Sequence, residues 1–376
     1  MAQDGLIPHL YAWLNGSLQR HECKNYGDCV MSYYELVSLK PQICIGPDAS
    51  IDYETPAKPW NKYQRVRVCL LALCLSLFIT PLAAEKSLNG FKLDNPLVPA
   101  DKILPGGPTR DGIYALNRLI FVSATDAGFM QNTNRVIGIE VAGEARAYPV
   151  KILNYHEVVN DQINGKSLLI SYCPLCGTGM VFHAESEDQA LNFGLSGLLH
   201  NNDVLLYDKQ TESLWSQTMG QAVSGPMKGA QLKLIAASQT SWGDWKNRHP
   251  DTVVLLNHTG YKRPYDIDPY AGYDRSNILF SQDNHDNHQY MRKSLMLGLE
   301  IEGMFKAYPF KVLLNGPPKF VDQFASTDIT IQFDRENKTA KALDNKGEEI
   351  PTVISSWFSW YEFHPETEIY TASKTL

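Results

Sequence analysis

Two stretches of this chain alternate apolar and polar residues around a glycine. The first runs Ile137-Gly-Ile-Glu-Val-Ala-Gly-Glu-Ala-Arg-Ala-Tyr-Pro-Val-Lys-Ile-Leu153, and Leu297-Gly-Leu-Glu-Ile-Glu-Gly-Met-Phe-Lys-Ala-Tyr-Pro-Phe-Lys-Val-Leu313 repeats it at an offset of 160 with eight of 17 positions identical. A period of two around a turn residue predicts a hairpin: strand 135–141, a turn near Gly143 and strand 144–148. Pro149 ends the second strand and suits the start of a short helix. A second pair, Ser241–Thr252 and Ser356–Thr367, matches at an offset of 115. Its Trp242 and Trp245 lie three apart before Pro250, which predicts a short amphipathic helix leading to strand Thr252–Leu256. Between these motifs lie β-like runs at Leu168–Tyr172, Met180–His183, Leu191–Leu195, Val204–Tyr207 and Leu214–Gln217, separated by Gly, Asn and Asp.

The repeats predict a mostly β fold (α+β with short helices) made of two tandem related β-rich units packed together. Their expected limits are 130–258 and 290–372, joined by a linker at 259–289 and preceded by a Pro- and Gly-rich segment at 85–129. Matching Tyr207-Asp208-Lys209 to Phe333-Asp334-Arg335 gives an offset of 126, so the second unit is shorter by about 34 residues. On that alignment the missing stretch holds Cys173, Cys176 and Phe193–Asn202, and His156 falls opposite Gly316. The first unit is therefore expected to carry an insertion that the fold does not need.

Residues 65–84 change the picture of the N-terminus. Lys62, Arg65 and Arg67 precede an apolar run from Val68 to Ile79, then Pro81 and Leu82-Ala83-Ala84. That order is that of a secretory signal, and the run is shorter than the roughly 20 residues of a membrane span. Cleavage near Ala84 is expected, with an uncleaved anchor as the alternative. Both imply an exported protein, periplasmic or held at the membrane facing outward, that touches a membrane only through this segment. Residues 1–64 precede the signal, either as an extension of unknown role or because the assigned start is too early. Cys23, Cys29 and Cys44 lie there at irregular spacing that builds no metal site.

With 376 residues and 44% hydrophobic positions the chain can bury a sizeable core. The formal net charge of −7 and the lack of a long basic run beyond the leader argue against a nucleic-acid partner.

Cys173 and Cys176 are the two cysteines of residues 85–376, in Tyr172-Cys-Pro-Leu-Cys-Gly177. Proline fixes φ after the first cysteine, and glycine lets the chain turn so that backbone N–H groups face both sulfurs. Such a knuckle suits a metal on two thiolates, Zn or Cu, with His or carboxylate supplying the rest. His156, seventeen residues upstream, is the first candidate, followed by His183 and His200. Glu157, the neighbour of His156, is the candidate general base on a metal-bound water. A satisfied polar-core histidine is the competing reading of His156. Two further readings of the thiols stay open: a dithiol–disulfide redox pair, which Gly177-Thr-Gly179 disfavours by breaking any helix, and a plain structural disulfide. Tyr172, Ser196, Asp208, Trp215 and Gln217 are expected to line a pocket beside the cysteines. Ser196 fails as a nucleophile-elbow serine, because position 198 is Leu where that motif needs Gly. The His285 and His288 stretch reads as a solvated loop.

The order of Gly106-Gly107-Pro108, Arg146-Ala-Tyr-Pro149, His156-Glu-Val-Val-Asn-Asp161, Tyr172–Gly177, Phe193-Gly-Leu-Ser-Gly-Leu-Leu199 and Thr211-Glu-Ser-Leu-Trp-Ser-Gln217 resembles a prokaryotic family catalogued as domain of unknown function 3179. The resemblance covers roughly residues 100–372 and implies no established activity. It fits an exported or membrane-anchored protein.

Overall fold

The computed structural model describes residues 87–186, 189–281, 285 and 287–372. The expected extension at 1–64 and signal at 65–84 lie outside the described residues. Among the described residues no helix is long and apolar enough to cross a membrane.

The fold is mostly β, with several sheets and short helices. The strands that matter here are β1 (Ile103–Pro105), β2 (Phe121–Ser123), β3 (Arg135–Val141) and β4 (Glu144–Pro149). Helix α1 (Val150–His156) follows, then β5 (Val158–Ile163), β6 (Lys166–Cys173) and β7 (Thr178–His183). Next come β8 (Phe193–His200), β9 (Asp203–Asp208), β10 (Leu214–Ser216), β11 (Gln221–Ser224), β12 (Lys233–Ile235) and β13 (Ser238–Ser241). Helix α2 (Trp242–Arg248) and β14 (Val253–Leu255) close the first half. The second half holds β15 (Leu295–Ile301), β16 (Met304–Pro309), α3 (Phe310–Leu313), β17 (Lys319–Phe324), β18 (Thr327–Asp334), β19 (Thr339–Leu343), β20 (Glu349–Ile350), β21 (Thr352–Ser356), α4 (Trp357–Phe363) and β22 (Glu368–Ile369).

The β3–β4 hairpin forms where the alternation predicts it. Ala142 and Gly143 both take positive φ, 52° and 79°, the turn that matches strand twist; Glu302 and Gly303 do the same at 52° and 76°. The two hairpins belong to sheets with one strand order, β13-β3-β4-β14-β2 and β21-β15-β16-β22. Their registers coincide: Val136 pairs Pro149 as Met296 pairs Pro309, and Ser241 pairs Arg135 as Ser356 pairs Leu295. The parallel closing strands agree as well, Val254 on Ala147 and Ile369 on Ala307.

The repeated tryptophans are part of this scaffold. The Trp245 ring lies against Gly138, where a Cβ would come within 2.3 Å of it, and its Nε1 donates to Thr252 Oγ1 at 2.9 Å. Trp360 does the same with Gly298 and Thr367, at 2.1 and 3.0 Å. Tyr148 donates to Asp161 and Tyr308 to Asp322, at 2.5 and 2.8 Å. No side chain larger than hydrogen fits at Gly138 or Gly298 unless the indole moves.

A second pair of four-stranded sheets, β12-β7-β6-β5 and β17-β18-β19-β20, corrects the expected alignment. Ile163 pairs Lys166 and Cys173 pairs Thr178, just as Phe324 pairs Thr327 and Asp334 pairs Thr339. The offset is 161 through both hairpins. The cysteine turn therefore has a counterpart, Asp334-Arg-Glu-Asn-Lys-Thr339, and Tyr207-Asp208-Lys209 does not correspond to Phe333-Asp334-Arg335. What the second half lacks lies between β7 and β12, chiefly β8–β11, which join β1 in a sheet ordered β11-β10-β9-β8-β1. Strand β8 also runs further than the expected Leu191–Leu195, because a bulge between Leu195 and Leu198 absorbs Ser196-Gly197 and lets pairing continue to His200.

These layers meet at one core. Cys173 and Cys176 share it with Phe193, Leu206 and Trp215 of the added sheet and with Met296, Trp357 and Phe358 of the second half.

Candidate metal centre

The knuckle closes the β6–β7 hairpin. Gly177 takes a positive φ of 65°, as a turn of this shape requires, and the Cys176 N–H donates to Cys173 Sγ at 3.3 Å. Both thiols are free and buried, with their sulfurs 2.7 Å apart.

A second hairpin tip faces the first. Asn201 and Asn202 link β8 to β9 with φ of 52° and 60°, a two-residue turn of the kind that Asn tolerates. The Cys176 thiol donates to the Asn202 carbonyl at 3.3 Å and lies 3.6 Å from Asp203 Oδ1. The other Asp203 oxygen accepts from the Thr218 N–H at 2.9 Å. Cys173, Cys176 and Asp203 thus bring three potential ligand atoms within 4.8 Å of one another, all buried.

Glu157 is buried near enough for its charge to act on Cys173 and for that of Asp203 to act on it. It caps α1 in the left-handed conformation, φ 57°, and its carbonyl accepts from the Tyr172 N–H at 2.8 Å. Burial, then the charge of Asp203, pushes its carboxyl up to about 8. Asp203 is pushed up to about 6, chiefly by burial. Burial also raises both thiols. No Lys or Arg side chain is among the groups acting most strongly on any of these four acids.

The second half closes the turn. The Ser356 N–H donates to the Cys176 carbonyl at 3.0 Å, and Thr178 Oγ1 donates to Ser355 Oγ at 2.9 Å. Among the described residues, the buried polar atoms around the site without a hydrogen-bond partner are Ser171 Oγ, two residues before Cys173, His200 Nδ1, Asn202 Nδ2, Gln217 Oε1, Thr218 Oγ1 and Ser359 Oγ. Such atoms are rare in native interiors and call for a partner such as ordered water or an ion.

The histidines are elsewhere. His156, the first expected ligand, is fully buried with both ring nitrogens engaged, Nδ1 to the Tyr114 carbonyl and Nε2 to the Tyr265 hydroxyl, each at 2.7 Å. Burial holds it down at about 4, so it is neutral, and with both nitrogens already bonded it sits as a satisfied polar-core residue. His183 pairs Leu168 and Lys233 at the far end of β7, about 17 Å of strand from the knuckle. His200 closes the Asn201-Asn202 turn opposite Asp203, but its ring packs on Phe363, and Glu362 is the charge that acts on it.

Of the expected pocket residues, Gln217 reaches the site, donating to the Thr178 carbonyl at 3.3 Å. The Tyr172 ring turns to the opposite face of β6, into a different core cluster. Ser196 ties the β8 bulge through the Leu205 carbonyl and the Leu198 N–H. Asp208 is consumed by Thr211 and by Trp215 Nε1, and Trp215 packs edge-on against Phe193. Asp203 is the residue that sequence reasoning missed. The Asn-Asn pair between two β-runs was its signal, because a two-residue hairpin puts both flanking side chains at one tip.

Two buried thiols and a buried carboxylate on the tips of facing hairpins, with Glu157 at the end of α1 nearby, define a candidate cation centre in a β-rich domain. The family model described as "Protein of unknown function (DUF3179)" matches residues 110–349, and the chain belongs to that family. Comparison with curated proteins and with solved structures finds no match.

Proposed function

We propose that this protein binds one metal ion, zinc, through Cys173, Cys176 and Asp203, with Glu157 within reach of the remaining position. The observation that carries the reading is the burial of four acidic groups together with no cation among their strongest neighbours. A buried acid without a partner stays protonated at a cost or is matched by a cation. Two thiolates with carboxylate oxygen form a mixed set that suits zinc, whereas copper(I) prefers softer ligands. Zinc about 2.3 Å from each sulfur holds the two roughly 3.8 Å apart, so loading requires the thiols, 2.7 Å apart here, to swing outward. Binding releases the thiol protons, so affinity rises with pH.

Elemental analysis of the purified full-length chain tests this. One zinc per chain is expected, lost in the Cys173→Ser, Cys176→Ser double variant. Two titratable thiols with no metal at any zinc concentration would sink it.

The short distance between the sulfurs favours a second reading, a buried structural disulfide. Absence of both metal and titratable thiol is its signature. Export rests on the order of residues in 65–84 and remains part of the proposal; in an oxidising compartment a bound metal is what keeps such a pair reduced.

A further inference from the structure

The counterpart of the knuckle in the second half, the turn Asp334–Thr339, docks on the first half as the knuckle docks on the second. Ser241 Oγ meets Asn337 Oδ1 at 2.5 Å, and Arg135 donates to the carbonyls of Asn337, Gln239 and Lys338 at 2.5, 2.7 and 3.3 Å. Here the charge has the opposite sign. Among the described residues Arg135 has no carboxylate in ion-pair contact. Arg135 lines a cavity of about 540 Å³ together with Lys338, Asn132, Thr133 and Asn247. The acids of this cavity are Asp244 and Glu336. Asp244 is taken by Arg248, at 2.7 and 3.0 Å, and by Thr240, while Glu336 is exposed. An adjoining cavity of about 440 Å³ shares Asp244 and adds Arg248, Lys319 and Lys341. Its Asp334 is consumed in capping its own turn, and Lys341 reaches Glu349 only at 3.5 Å.

We propose that this seam binds a small oxyanion, phosphate or carboxylate, with Arg135 and Lys338 as its counter-charges and the amides of Asn132 and Asn247 as further donors. In a chain of net charge −7, the two adjoining cavities together are lined by five Lys and Arg against three Asp and Glu, in a cleft of ligand size. The Arg135 guanidinium is hydrogen-bonded only to carbonyls, and the carboxylate whose charge acts on it, Asp244, is itself ion-paired with Arg248, so its desolvation is only partly offset. Burial correspondingly pulls Arg135 down from its usual range. The site is separate from the thiol centre and does not depend on metal there.

The test is calorimetric titration of inorganic phosphate, and separately of succinate, into the full-length protein at low ionic strength. Saturable one-site binding of either anion is expected, and the tighter one identifies the headgroup. Arg135→Gln and Lys338→Gln are each expected to weaken binding by about tenfold or more. Arg110→Gln, whose cation pairs with Glu212 elsewhere, should leave it unchanged. Loss of Arg135 also frees the 334–339 turn, so Lys338→Gln, which removes only the side-chain charge, is the decisive variant. No saturable binding of either anion, or undiminished binding in Lys338→Gln, overturns the proposal.

Discussion

Asp203 presents Oδ1 3.6 Å from the Cys176 sulfur while its other oxygen is held by a backbone N–H of Thr218. One oxygen is thus anchored and the other aimed at the thiols. A carboxylate fixed in this way is pre-oriented as a ligand, and the turn that carries it is rigidified by two consecutive left-handed asparagines.

Asp203→Asn keeps the shape and removes the charge. Zinc affinity is expected to fall by more than about tenfold, measured by competition with a chromogenic chelator. An unchanged affinity would remove Asp203 from the ligand set.

Glu157 gives the metal-free protein a pH signature. Its folded pKa of about 8 lies above the ordinary 4.5, so the native state holds the proton more tightly than the unfolded chain. Protonated Glu157 imposes no penalty below about pH 4, and stability is lost as pH rises toward 8. Glu157→Gln should match the parent at pH 4 and exceed it at pH 8 by an amount on the order of a few kcal/mol. Urea unfolding of metal-free protein at the two pH values measures this. A constant difference would show that the carboxyl titrates normally.

His156→Gln separates a ligand from a polar-core residue. Zinc content is expected to stay the same. Stability should drop by about 1–3 kcal/mol, because the Tyr265 hydroxyl and the Tyr114 carbonyl lose a buried partner. Loss of zinc from a folded His156→Gln protein would return the histidine to the site.

Gly138→Ala forces a methyl against the Trp245 indole, and Gly298→Ala does so against Trp360. Each is expected to destabilise by about 1–3 kcal/mol or more in chemical denaturation, since the ring is fixed by its bond to Thr252 or Thr367. A neutral effect at either glycine would mean that the indole has room to shift.

The hairpin ending at Tyr148-Pro149 was legible because alternation, a glycine turn and a proline all point the same way. The knuckle was legible for a similar local reason, since Pro174 follows its first cysteine and Gly177 its second. The partners were not. Asp203 reaches Cys176 across 27 residues, and Tyr265 reaches His156 across 109, through contacts between separate sheets and loops that leave no periodic trace. The alignment at Tyr207-Asp208-Lys209 failed because three similar residues outweighed strand order, which only pairing reveals: Cys173 sits opposite Thr178 as Asp334 sits opposite Thr339.

The bond from Ser356 to Cys176 and the bonds from Arg135 to Asn337 run in opposite directions across the same molecule. Each half supplies the floor beneath the other's turn, like two hooks engaged in each other. A fragment ending before Leu295 would open the thiols to water and strand the Arg135 charge at once, so melting should proceed as a single cooperative event.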